Sequence, residues 1–281
     1  MKRPLLVNLA LLALVGVLGL AVWLTPEERA VEPPPLTNLD PGDIQFIRLH
    51  NRLGELELRK GDTGWEMTAP YSMAANTPRI ELLLGIAAAK SLAQFPVPAD
   101  RLPEFGLDSP LAVLELNQTR IEVGSTDPMY HRRYLRIGDT LHLIRDRFPQ
   151  HLLAAPEEFV GPQLLSPRHK LISIHTPDWR LSLEADGKLA LEPPQPDLSM
   201  DDLNRKFDQW RSTRAVAVLP APAEFAGKEI ELLSADSPQP LRFRILKQEQ
   251  ELLLVRLDLG IAYRLPADSD LLDPPAAEPT P

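Results

Sequence analysis

Asp127-Pro128-Met129-Tyr130-His131-Arg132-Arg133-Tyr134-Leu135-Arg136 is the densest run of chemically capable side chains in this chain. It sets an acid, a histidine, two tyrosines and three arginines between two strand-like segments. A planar guanidinium meets a carboxylate or phosphate through two parallel hydrogen bonds. Tyr130, Arg132, Arg133, Tyr134 and Arg136 therefore read as a candidate face for a partner or an anion. The same run also fits a polar hairpin whose alternate residues meet water, the ordinary state of antiparallel strands.

Other constellations carry less. Of the six histidines, His50 and His175 take corresponding positions in a repeat, which suits a structural role at a strand end. The rest lack paired ligand spacing, H-E-x-x-H does not occur, and no metal site is expected. Phe105-Gly106-Leu107-Asp108-Ser109-Pro110 is a turn entering a strand, with Gly free to take positive φ and Asp able to cap. Trp65, Trp179 and Trp210 fall at expected core positions. Asn117-Gln118-Thr119 matches the glycosylation acceptor pattern. The acids Asp201-Asp202 and Asp268…Asp270 read as helix capping and tail charge. A Gly-rich phosphate loop, a G-x-S-x-G elbow and S-x-x-K are all missing, so no catalytic or cofactor-binding residues and no cofactor are assigned.

The elements that hold these residues begin behind an apolar run. Leu5 to Leu24 is twenty residues without charge, preceded by Lys2-Arg3 and followed by Glu27-Glu28-Arg29. As a helix it spans roughly 30 Å, the thickness of a bilayer core. The positive-inside rule sets residues 1–4 in the cytoplasm and everything after the run outside. The alternative is a cleaved signal peptide; against it stand the length of the run and the lack of a small-x-small site beyond it. Residues 25–40, with Pro33-Pro34-Pro35, read as a stiff stalk, and residues 273–281 as a disordered tail.

Beyond the apolar run the chain holds 28 Lys and Arg against 39 Asp and Glu, a net of −11. That argues against non-specific nucleic-acid binding and against docking on anionic lipid. Zero cysteine excludes disulfides, thiol catalysis and Cys-ligated zinc. Apolar residues make up 44%, enough for globular cores.

The remainder repeats one module, giving a first lobe over 41–166 and a second over 167–272. The first shows Asp43–His50, then the strict alternation Glu55–Arg59, then Trp65–Met67, closed by Pro70. Thr77-Pro78 opens a helix as N-cap and first helical residue, with Ile80, Leu83, Leu84 and Ala87 on one face. Strands follow over Leu111–Asn117, Thr119–Val123, His131–Ile137 and Thr140–Arg145. In the second copy Ile172 and Ile174 stand for Ile47 and Leu49, His175 for His50, Leu181 and Leu183 for Leu56 and Leu58, Leu189 for Trp65 and Pro194 for Pro70. Ser199 caps a helix with Asp202 three residues on, and Leu203, Phe207 and Trp210 form its core stripe. Strands over Glu229–Leu233, Leu241–Leu246, Glu251–Leu257 and Ile261–Leu265 close it. Each copy reads β-β-β-α-β-β-β-β, with short turns that imply antiparallel pairing, hence an α+β class with two similar tandem lobes.

These residues carry a resemblance. The N-terminal apolar run, Leu39-Asp40-Pro41, Gly64-Trp65-Glu66-Met67-Thr68-Ala69-Pro70, Phe105-Gly106-Leu107-Asp108-Ser109-Pro110 and Ile121-Glu122-Val123-Gly124 together resemble the bacterial family catalogued as domain of unknown function 4340. Trp65, Pro70, Gly106, Leu107, Asp108 and Pro110 are its structural signature here, with Phe105 where the family pattern has Tyr. The resemblance covers residues 39–165 and extends loosely to the second copy. Family members are commonly encoded beside ABC transporters of the gliding-motility type, so it implies a cell-envelope accessory protein. It supplies no catalytic residues.

The expected function is thus a non-catalytic, anchored interaction module at the bacterial cytoplasmic membrane, with an envelope or transporter protein as partner. The alternatives are a periplasmic binding protein for an envelope glycan or small anion, and a hydrolase built on His131 and Asp108.

Overall fold

The computed structural model describes residues 11–20, 32–97, 100–147, 149–166, 169–224, 226–247 and 251–277. Residues 11–20 are helical, and no helix among the described residues is long and apolar enough to cross a membrane. The rest of the expected anchor, residues 5–10 and 21–24, lies outside the described residues, as do residues 25–31 of the stalk.

Pro35–Pro281 form one compact unit, built on two antiparallel sheets. The first lobe runs β1 (Phe46–Asn51), β2 (Gly54–Gly61), β3 (Gly64–Ala69), β4 (Met73–Ala74), α1 (Thr77–Ala87), β5 (Ala93–Pro96), β6 (Ala112–Leu116), β7 (Thr119–Thr126), β8 (Arg132–Ile137) and β9 (Thr140–Arg145). The second runs β10 (Leu171–His175), β11 (Arg180–Leu183), β12 (Leu189–Glu192), α2 (Met200–Ser212), β13 (Ala217–Pro220), β14 (Glu229–Ser234), β15 (Ser237–Lys247), β16 (Glu251–Arg256) and β17 (Ile261–Pro266).

The sheet orders are β4-β3-β2-β1-β6-β7-β8-β9-β5 and β12-β11-β10-β14-β15-β16-β17-β13. With β4 set aside, the two match strand for strand. In the first, Leu49 lies between Leu56 and Leu114; in the second, Ile174 lies between Leu181 and Leu232. His50 and His175 follow these residues in the same register. Period-2 burial explains why the strands form: Leu56 and Leu58 face the core while Glu55 and Glu57 do not.

Several expectations need correction. Each module has five strands after its helix, not four: β5 and β13 close the far edge of each sheet by pairing with β9 and β17. They are four residues each and end at Pro96 and Pro220; proline is tolerated at such an edge. The first copy also adds the two-residue β4. Thr77 is the first helical residue rather than the cap: the Asn76 carbonyl accepts the Arg79 and Ile80 N–H groups at 3.1 and 3.2 Å, which makes Asn76 the N-cap. Pro193, not Pro194, directly follows the third strand as Pro70 does. The stalk meets the first lobe before residue 40, since the backbone N–H groups of Leu36 and Thr37 donate to Ala89 and Ala87 and Leu36 is buried.

The strap between the lobes pairs with both. Val160 bridges Ala75 and the Gly161 N–H donates to Ala74; on the other side Gln163 bridges Arg214 and the Ala215 N–H donates to Pro162. One continuous apolar core consequently runs from Ile44 through Phe159 to Tyr263. The expected stripes Ile80, Leu83, Leu84, Ala87 and Leu203, Phe207, Trp210 are buried in it, and Ser199 and Asp202 form the capping box.

Candidate functional site

The polar run begins in a tight turn. The Asp127 N–H donates to the Arg132 carbonyl at 2.7 Å, and the His131 N–H donates back to the Asp127 carbonyl at 3.0 Å. The Asp127 carboxylate accepts the Tyr130 N–H at 2.8 Å. His131, expected in the strand, is instead held in this turn at φ 52, a left-handed conformation that costs a β-carbon residue energy. The turn pushes Met129 and Tyr130 outward, 75% and 64% exposed.

From Arg132 the strand alternates, so the five candidate residues do not share one face. Arg133 and Leu135 point inward and are buried. Arg133 meets Asp146 through Nε–Oδ1 at 3.1 Å and Nη2–Oδ2 at 2.6 Å, and its Nη1 donates to the Gly124 carbonyl at 3.0 Å. Arg136 is paired with Glu122 at 2.8 Å. Tyr134 sets its ring edge-on to Phe105, centroids 5.0 Å apart; burial, then the Asp127 carboxylate, push its phenol above the ordinary value. Arg133, Tyr134 and Arg136 therefore build the lobe. Tyr130 and Arg132 remain available, with the Arg132 guanidinium 4.9 Å from the Tyr130 ring centroid.

Those two residues open onto a cleft of about 450 Å³, lined with Leu92, His131, Arg145, Asp146 and Arg147. Arg145 lies directly opposite Arg132 across the β8–β9 ladder. Arg145 and Arg147 were not singled out in the sequence. The Gly138-Asp139 turn held the signal: counting outward from it pairs Ile137 with Thr140 and so Arg132 with Arg145.

The signature residues have structural places. Trp65 and Leu107 are buried, while Pro70 and Asp108 are exposed. Gly106 has φ 65 and passes so near β7 that a Cβ there would lie 2.9 Å from the Ser125 nitrogen. Asp108 is not among the residues that line the cleft with His131. Asn117 of the glycosylation pattern accepts the Gln45 and Phe46 N–H groups at 2.9 and 3.1 Å and adopts φ 52, closing the β6–β7 turn onto the start of β1.

One unexpected pair joins the residue before Leu92 to β9. Ser91 Oγ is 3.0 Å from His142 Nδ1, both buried, and burial pushes the imidazole pKa down. The Ser91 hydroxyl also donates to the Ala93 carbonyl at 3.2 Å. Among the described residues no cluster of three or more His, Asp or Glu could hold a metal ion. Comparison with protein-family models, with curated proteins and with solved structures returns no match for the chain.

Proposed function

We propose that this chain is a single-pass, membrane-anchored extracytoplasmic binding module without catalytic activity, serving a cell-envelope or ABC-transporter assembly. The observation that carries the reading is the strand-for-strand repetition of two sheets on one core. Such a scaffold offers two related, rigid surfaces, and linked surfaces bind by avidity without a strong single site. The apolar run Leu5–Leu24 with Lys2-Arg3 before it supports an inner-membrane anchor with the lobes outside. The resemblance of residues 39–165 supports the envelope setting. The test is in-cell cross-linking of tagged full-length protein, with an anchor-deleted version sent to the same compartment as control. A reproducible membrane partner whose cross-links map to one lobe is the expected result. Full-length protein that migrates alone in gentle detergent after cross-linking overturns it.

A second reading, a periplasmic binding protein for a small anion or an envelope glycan, is favoured by one specific observation: the arginine-lined cleft beside Tyr130. A shift in melting temperature with some member of an anion and glycan panel supports it, and unchanged melting across the panel removes it.

A further inference from the structure

The cleft at the end of β8 and β9 is built against the grain of its surroundings. Arg132 and Arg145 face each other across the ladder, and like charges directly opposite in an antiparallel pair are destabilising. Arg147 joins them on the same wall, with His131 beside it. Most guanidiniums elsewhere have carboxylate partners, among them Arg48 with Glu57, Arg120 with Glu115, Arg136 with Glu122, Arg242 with Glu231 and Arg256 with Asp258. Among the described residues, none of Arg132, Arg145 and Arg147 makes such a pair. The acid in the cleft, Asp146, is already taken by Arg133 and by the Thr126 hydroxyl. In a chain with 39 acids against 30 Lys and Arg, three neighbouring cations left unneutralised are a local reversal of the overall charge.

Resting on the second reading above, we infer that this cleft binds a phosphate monoester, with Arg132, Arg145 and Arg147 around the phosphoryl group. The charge decides the class. A carboxylate is a monoanion that one guanidinium satisfies bidentately, whereas a phosphate monoester carries close to two charges at neutral pH and three outer oxygens that accept from several directions. Placed between Arg132 and Arg145, it turns their repulsion into two charge-assisted contacts. The cleft is larger than a bare phosphate and lies within the range of small-molecule sites. Leu92 and the Tyr130 ring, braced by the Arg132 guanidinium, supply the apolar wall for the organic part. The left-handed His131 fits this assignment, because such strain is retained where a turn must present its side chains.

The experiment is calorimetric titration of full-length protein in detergent micelles with four probes: phenyl phosphate, inorganic phosphate, benzoate and dihexanoyl phosphatidic acid. Phenyl phosphate is expected to bind at least about tenfold tighter than benzoate, the scale of one added charge-assisted contact. The pair R132Q/R145Q is expected to weaken phenyl phosphate by at least about tenfold, while Arg120→Gln, on an arginine outside the cleft, leaves it unchanged. Arg145→Gln alone is expected to raise the melting temperature in phosphate-free buffer and to abolish the rise that phosphate gives the parent protein. Should the double variant fold poorly, Arg147→Gln tests the same contact from an exposed position. Tighter binding of phosphatidic acid than of phenyl phosphate assigns the source to a lipid headgroup, and the converse to a soluble ester. No binding by either ester, benzoate as tight as phenyl phosphate, or an unaffected double variant each overturns the inference. None of these bears on partner capture, and a glycan that shifts melting while all four probes fail would leave the second reading standing without this site.

Discussion

Gly124 lies so close to Phe105 that a Cβ at position 124 would be 2.2 Å from the Phe105 carbonyl oxygen. The turn Leu102–Phe105 docks there onto β7, where the β7–β8 register shifts between Val123 and Thr126. Arg133 donates to the Gly124 carbonyl on the same stretch, so turn, bulge and buried guanidinium depend on one another. Gly124→Ala is expected to cost about 2 kcal/mol or more, by the overpacking of a site with no room to move. Gly85 is the contrast: it is exposed in mid-helix with nothing within 4 Å of a Cβ. Gly85→Ala is expected to stabilise by about 0.5–1 kcal/mol through helix propensity. Denaturant midpoints of the two variants check both signs.

Arg133 and Asp146 make a largely buried ion pair beside the cleft, with side chains only 10% and 18% exposed. Asp146→Ala leaves a largely buried guanidinium without its counter-charge and is expected to cost about 3 kcal/mol. The apolar pair R133M/D146L is expected to recover much of that loss, since both desolvation costs vanish together. A double-mutant cycle on unfolding free energies measures the coupling. A coupling near zero would remove Arg133 from its structural role and return it to the candidate binding face.

The pH response is readable at α2. The Ser199 hydroxyl and backbone N–H, followed by Arg205, hold the Asp202 carboxyl at about 2 against an ordinary 3.8. A folded pKa below the unfolded one gives stabilisation that is present above the unfolded value and lost as pH falls through the folded one. The melting temperature of the parent protein is therefore expected to exceed that of Asp202→Asn by a constant margin above about pH 5, where the ordinary carboxyl is ionised. The margin is expected to close between 3.8 and about 2. A margin unchanged across that window would show that the cap works through shape alone.

Particular residues show what could be read before folding. The alternation of Glu55-Leu56-Glu57-Leu58 and the stripe Leu203, Phe207, Trp210 carry their periods in the chain itself, and both are found as expected. β5 and β13 were hidden because four residues ending in proline hold too little periodicity to mark a strand; pairing to β9 and β17 creates them. The candidate face was partly legible. Tyr130 and Arg132 lie in the cleft, but alternation along β8 turns Arg133 inward, and charges on β7 and β9 claim Arg136 and supply Arg145. Long-range pairing of that kind follows from register, which leaves no mark in local composition.

The matched registers of Leu49 and Ile174 allow one further expectation. Both are buried on interior strands, 1% and 0% exposed, each flanked by two leucines across the neighbouring strands. Leu49→Ala and Ile174→Ala are each expected to cost about 2–5 kcal/mol, the transfer and cavity terms of a large-to-small change in a packed core. Because one core joins the sheets and the strap bonds to both, either substitution is expected to lower a single unfolding transition. Scanning calorimetry of the two variants reads this directly. Two separated transitions, with only one displaced by each substitution, would mean that the strap and the shared core do not couple the copies and that each lobe unfolds on its own.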